Sequence, residues 1–240
     1  MVANLISDDV AATLDALVAR VLGEANIGGP PIDAVQLAAT CGMSVALDGA
    51  QRERARVVRL RGKARGSIFL RPEPRAERRQ WAVAHELGEL LSQPVFEGLG
   101  VDPAEVSSRA REAAANEFAA RLLLPSEWFF ADAGECDWSL PELKLRYATA
   151  SHELIARRFL DGPVAAVISV FDNDRLSFRR ANLAYRPPPI SAGEQECQRM
   201  VHRTSAPYFS CEGPRRIQGW PVHEPDWKRE ILRTECDEPD

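Results

Sequence analysis

Apolar positions along this chain change their spacing from stretch to stretch, and each change predicts an element. From Met1 to Gly23 they recur at helical intervals, with Asp8, Asp9 and Asp15 among the polar positions, which predicts an amphipathic helix. Gly28-Gly29-Pro30-Pro31 interrupts it, and Ile32 to Cys41 reads as a short helix closed by Gly42. Residues 54–70 then alternate apolar and basic, Val57, Val58 and Leu60 against Arg59 and Arg61, and turn through Gly62 and Gly66 into Ser67-Ile68-Phe69-Leu70, a hairpin pattern. Its arginines read as the solvated side of an edge strand, a placement that also discourages aggregation. Pro72 and Pro74 end the hairpin, and Ala76 to Ser92 follows as a helix with Val83, Ala84, Leu87, Leu90 and Leu91 in one broad stripe.

A second long helix is expected from roughly Ala104 to Leu124, stopped by Pro125. Leu140 to Leu160 reads as two short helices joined near Thr149-Ala150-Ser151, with helix-turn-helix proportions. From Gly162 the pattern shifts to strands: Val164 to Phe171, a turn at Asp172-Asn173-Asp174, and a return over Leu176 to Arg179. After Pro187-Pro188-Pro189, Gly193 to His202 reads as a helix, with short strands around Tyr208, Ile217 and Ile231 and a frayed tail from Cys236 to Asp240. The class is therefore α+β. A mainly helical domain with a β-hairpin or small sheet occupies residues 1–161, including the helix-turn-helix-like segment 139–161, and a small α/β region of unknown role occupies 162–240.

Composition narrows the function. With 240 residues, 45% hydrophobic and 27% charged, the chain has the make-up of an ordinary globular protein of at most two domains. A formal charge of −5 gives the whole molecule no attraction to phosphate backbones or anionic lipid. Glu142 and Glu153 dilute Lys144, Arg146, Arg157 and Arg158, so the helical pair reads as packing and direct nucleic-acid binding is not expected. The acidic N-terminus lacks the basic start of a signal peptide, and no apolar run reaches membrane-spanning length, so a cytoplasmic protein without membrane attachment is expected. Five scattered cysteines, Cys41, Cys136, Cys197, Cys211 and Cys236, form no Cys-x-x-Cys pair and read as reduced thiols.

The candidate chemistry lies in His85-Glu86-Leu87-Gly88-Glu89. At about 100° per residue, His85 and Glu89 fall within roughly 40° of each other, so an imidazole and a carboxylate leave the helix toward one point. Ala82, Gly88 and Ser92 beside them are small enough to admit an ion or another backbone. On the next helix Glu112, Asn116, Ala119 and Leu123 share a face, which places a carboxylate on a stripe that otherwise reads as buried. A buried carboxylate needs a partner, and a metal ion would satisfy Glu89 and Glu112 together. The plainer alternative pairs Glu89 with Arg79 or Arg121.

Arg79-Gln80-Trp81-Ala82-Val83-Ala84-His85-Glu86-Leu87-Gly88 resembles the active-site helix of the ImmA/IrrE family, and Glu112 through Pro125, EAAANEFAARLLLP, resembles its partner helix. The second helix of that family runs Glu-x-x-Ala-Asn-x-Phe-Ala-x-x-Leu-Leu-x-Pro, which Glu112, Ala115, Asn116, Phe118, Ala119, Leu122, Leu123 and Pro125 match position by position. The resemblance covers about residues 30 to 160 and implies a zincin-like metallopeptidase. It further implies a protein substrate, a helix-turn-helix repressor whose cleavage releases genes for stress response or mobile-element transfer. It assigns His85 and Glu112 as ligands of Zn2+ and Glu86 as the general base. Position 89, where the family has a second histidine, is Glu here. A carboxylate ligates zinc too, and its extra charge tilts preference toward harder ions such as Mn2+. His152, His202 and His223 lie at no spacing that recommends them as replacements and read as structural. The alternatives are a catalytically inactive relative acting as a sensor or partner-binding module, and a transcription regulator using residues 140 to 160.

Overall fold

The structure is a computed structural model that describes residues 8–59, 66–184 and 186–236. The expected features at Met1 to Ser7, at Leu60, Arg61 and Gly62, and at residues 237–240 lie outside the described residues. The chain divides into two compact units, one containing the residues up to Asp132 together with Arg146–Ser151, the other Ala133–Leu145 together with His152 onward.

In the first unit the chain runs α1 (Asp8–Glu24), α2 (Ala34–Thr40), β1 (Met43–Leu47), β2 (Ala55–Arg59), β3 (Gly66–Leu70), α3 (Ala76–Gly98) and α4 (Ser108–Leu123); α5 (Ser126–Glu135) then crosses the unit boundary. Val83, Ala84 and Leu87 of α3 and Ala115, Phe118, Ala119 and Leu122 of α4 are all buried, each large one contributing about 1.5–3 kcal/mol relative to exposure. Gly88 sets how closely α3 and α4 pack. A Cβ at that position would stand 2.8 Å from the Ala115 carbonyl oxygen and 3.0 Å from Ala115 Cα. At the other end of α4, nearly buried Arg121 donates to both Asp15 carboxylate oxygens at 3.1 Å and to Ser126 Oγ at 3.3 Å, tying α1 to the α4–α5 corner. Gln80 of α3 does the same for α2, accepting from Ala34 N at 2.7 Å and donating to the capping Asp33 carboxylate at 2.9 Å.

The small sheet has the order β1-β3-β2, with β2 antiparallel and β1 parallel to β3. The expected hairpin is β2 and β3, and β2 lies at an edge. β1 went unread, because Met43–Leu47 is short and its last apolar residue, Leu47, points to solvent. Two helix limits also differ. α3 runs on through Pro94 rather than ending at Ser92, because Val95 is buried and Phe96 packs against Val106 and Ala114 before Gly100, at φ 71°, turns the chain away. α4 starts at Ser108 rather than Ala104, where Ser107 Oγ accepts from Ala110 N.

The second unit contains α6 (Leu140–Arg146) up to Leu145, α7 (His152–Arg158), β4 (Ala166–Asp172), β5 (Arg175–Ala181), α8 (Ala192–Thr204), β6 (Tyr208–Glu212), β7 (Arg215–Glu224) and β8 (Trp227–Glu235). Its antiparallel sheet has the order β5-β4-β8-β7-β6. Alternation along β8 aims Glu230, Leu232 and Thr234 at one face, which α8 covers with Cys197 and Val201. Gly219 of β7 makes this close, since a Cβ there would meet Cys197 Sγ at 2.6 Å. Ser191 and Glu194 form a capping box at the start of α8, and the buried Glu194 carboxylate also takes a two-pronged pair from Arg179, 2.9 Å to each oxygen. The architecture is α+β throughout. Among the described residues no helix is long and apolar enough to cross a membrane.

Candidate metal centre

α3 and α4 bring His85, Glu89 and Glu112 together, with one ligand atom from each lying within 4.8 Å of the other two. His85 Nε2 is 3.8 Å from Glu89 Oε1 and 3.6 Å from Glu112 Oε2. The His85–Glu89 contact follows from one helix turn, and the His85–Glu112 contact from the glycine that lets α4 approach.

One expectation is overturned. Glu89 and Glu112 are not buried, their side chains being 48% and 57% exposed, so the argument that burial compels a partner does not apply to them. At the start of α4, position 112 precedes the buried stretch, and Glu89 lies on the outer side of α3. Nor does either arginine take Glu89: Arg79 donates to the carbonyls of Glu73 and Pro74, and Arg121 turns to Asp15 and Ser126.

A different feature tests whether a cation fits. Asn116 Nδ2 donates to Glu112 Oε1 at 3.3 Å, which turns its amide oxygen toward His85 Nδ1 at 3.1 Å. With the proton held on Nδ1, the Nε2 lone pair of neutral His85 faces two carboxylates. Three electron-rich atoms converging with no donor to them among the described residues repel one another, and a divalent cation among them turns that repulsion into coordination. Ligand atoms about 2.0–2.2 Å from a tetrahedral zinc sit roughly 3.3–3.6 Å apart, close to the spacings observed. The residues fit the ion.

Glu86 sits on the inner side of the same helix and is 7% exposed. Burial pushes its carboxyl above the usual glutamate range and the Glu89 charge adds to that, while His85 and the Val57 backbone N–H of β2 pull the other way. A cleft of about 250 Å³ opens here, lined by Arg54, Ala55, Trp81, Ala82, His85, Glu86, Glu112 and Asn116. One of these, Asn116, carries a role the sequence did not reveal. In the sequence Asn116 reads as a neighbour of Glu112 one turn on and as a position of the partner-helix pattern, not as the group that orients His85; Arg54 reads as a solvated strand arginine, and Trp81 as part of a motif.

Residues 43–159 match the family model for the IrrE N-terminal-like domain, Peptidase_M78. The match spans just under half of the chain, so the similarity to this peptidase family is one of that stretch. Both helices of the metal centre lie inside the IrrE N-terminal-like domain, as does the edge strand beside them. Comparison with curated proteins gives no match. Among solved structures the chain is similar to a Mycobacterium tuberculosis transcriptional regulator, at 16% identity and a TM-score of 0.67, covering 94% of this chain and 76% of that one. At that identity the likeness is one of fold.

The remaining expected features are placed as follows. The helix-turn-helix-like residues are present as α6 and α7, but Arg146, Arg157 and Arg158 already pair with Asp132, Glu153 and Asp161. None of the five cysteines forms a disulfide, and burial pushes the Cys197 thiol up to about 12, far from a nucleophile. His202 and His223 stand together in the second unit, at a carboxylate of their own.

Proposed function

We propose that this chain is a metal-dependent endopeptidase that cuts a regulatory protein, with helix-turn-helix repressors as the substrate class. The observation that carries this reading is the convergence of His85 Nε2 with the Glu89 and Glu112 carboxylates, with buried Glu86 one position along the helix. His85, Glu89 and Glu112 would hold the ion, which when bound polarises the scissile carbonyl and makes water nucleophilic near neutral pH. One nitrogen and two anionic oxygens form a donor set that accepts Mn2+ as well as Zn2+.

The chain's own groups supply the rest. The Glu86 carboxylate takes the proton of the attacking water, and its raised pKa suits it to release that proton to the leaving amine nitrogen. Asn116 holds the His85 imidazole in one tautomer and one orientation. Among the described residues β2 is paired on one side only, so an extended peptide can add to its other edge beside Arg54 and Ala55.

Glu86→Gln tests the assignment. The variant keeps its metal and its fold but leaves helix-turn-helix repressors of the same genome uncut, read by intact mass after incubation. Unchanged cleavage removes Glu86 from the reaction.

A second reading, a non-catalytic sensor or transcription-regulatory module, draws on the carboxylate at position 89 and on the regulator name of the structural relative. It requires protein purified without chelators to contain no metal at His85, where the peptidase reading requires about one equivalent.

A further inference from the structure

We propose a second divalent-metal site in the C-terminal unit, built from Asp174, His202 and Glu230 with His223 holding the Glu230 carboxylate, and with zinc as the ion its donor set fits. Glu230 is fully buried on β8, and its Oε1 is approached from two sides: by His202 Nδ1 of α8 at 2.9 Å and by His223 Nε2 of β7 at 2.8 Å. Asp174, in the β4–β5 turn, brings its Oδ1 to 3.2 Å from the same His202 nitrogen. The ligand atoms of Asp174, His202 and Glu230 all lie within 4.8 Å of one another.

The electrostatics ask for a cation. Among the described residues neither Lys nor Arg forms an ion pair with Glu230; its partners are the two imidazoles and Gln198, which donates to Oε2 at 3.4 Å. Neither an imidazole nor an amide carries a fixed positive charge, so a buried carboxylate among them has no permanent counter-ion, which is costly in a low-dielectric interior. The Lys228 ammonium, two residues before Glu230 on β8, donates to the His202 carbonyl at 3.1 Å. A dication among one imidazole nitrogen and two carboxylates would neutralise both acids, and three such protein ligands with a solvent molecule make a donor set zinc accepts.

The surroundings are arranged as for a ligand set. Ser205 Oγ meets His223 Nδ1 at 2.9 Å, holding the ring with Nε2 toward Glu230. Gln198 also donates to Asp174 Oδ1 at 2.9 Å, orienting that carboxylate. His223 faces Lys228 across the β7–β8 hairpin, so Glu230, two residues on, projects to the same side of the sheet. Asp174 is 62% and His202 27% exposed, so an ion has a way in from solvent. The three donors come from a turn, a helix and a strand, with His223 of a second strand behind Glu230, and an ion there would cross-link these elements: the role is structural.

The test uses the full chain with the first centre disabled by His85→Ala and Glu89→Ala, so that its result is independent of the peptidase assignment. Zinc content after dialysis, Co2+ absorption, and the shift of the melting temperature on adding zinc are then measured. The proposal expects one equivalent of zinc to remain, with tetrahedral Co2+ absorption and a raised melting temperature. Adding His202→Ala and His223→Ala removes all three signals. Asp174→Asn, at an exposed turn, leaves the circular dichroism unchanged and weakens zinc at least tenfold. Loss of all zinc once the first centre is disabled overturns the proposal, and so does zinc retained after both histidines are removed or undiminished affinity in Asp174→Asn.

Discussion

His85 Nδ1 lies 3.1 Å from the amide oxygen of Asn116, and Asn116 in turn holds Glu112, so one amide orients two members of the metal centre at once. Removing it as Asn116→Ala frees the imidazole to change tautomer and leaves Glu112 without its donor. Metal affinity then falls about 10–100-fold, as for other groups that orient metal ligands, while the fold stays intact. Titration calorimetry with Zn2+ and Mn2+ checks this, and an unchanged affinity would show that Asn116 plays no orienting part.

Gly88→Ala separates packing from propensity. On helix propensity alone, alanine gains about 1 kcal/mol over glycine. Its Cβ, however, would press within 2.8 Å of the Ala115 carbonyl, and backbone cannot swing aside like a side chain. A net loss of about 1–3 kcal/mol is expected from overpacking, with metal affinity falling further because Glu112 recedes from His85. Urea unfolding and metal titration read the two effects separately; a stabilised variant would mean that α3 and α4 have room to spare.

Glu89→His replaces a carboxylate at the third ligand position by an imidazole and removes one negative charge. The preference for Zn2+ over Mn2+ should rise at least tenfold, because softer nitrogen ligands favour zinc and a carboxylate favours the harder ion. Competition between the two ions, followed by elemental analysis, measures it. No change in preference would place residue 89 outside the coordination sphere.

The stability of the second unit has a pH dependence whose sign is set by Glu194. Burial works to raise its pKa, but Arg179, the Ser191 N–H and the Thr234 hydroxyl outweigh it and hold the carboxyl below the usual glutamate range. A depressed folded-state pKa means that its contribution is complete above the unfolded value, near 4.5, and is lost as pH falls through the folded one. Glu194→Gln, which leaves Arg179 without its counter-charge, should cost about 3–5 kcal/mol at pH 7. The difference from wild type should shrink steadily below pH 4.5, as chemical denaturation at several pH values would reveal. A constant difference would mean that Glu194 keeps its proton balance on unfolding.

Much of the first centre was legible because its pattern is local. His85 and Glu89 are one helix turn apart, and the run from Glu112 to Pro125 is regular enough to place a carboxylate beside them. The exposure of Glu89 and Glu112 was not legible, since periodicity marks the side of a helix but not where its neighbours end. The continuation of α3 past Pro94 depended on Val106 and Ala114, contacts that a helix-stop rule cannot anticipate. β1 and α5 were missed for want of a pattern: one is five residues with an exposed end, and the other follows Pro125 directly. His202 and His223 read as structural because their shared carboxylate, Glu230, is brought to them by strand register and by a helix packed over Gly219, both products of the finished fold.

The most direct measurement is an anomalous-scattering map at the zinc and manganese absorption edges, from crystals grown with the metal. The account predicts a peak bounded by His85 Nε2, Glu89 and Glu112, with the Glu86 carboxylate facing it across the cleft. A map with no peak at that point, and with both carboxylates turned out to solvent, would contradict it.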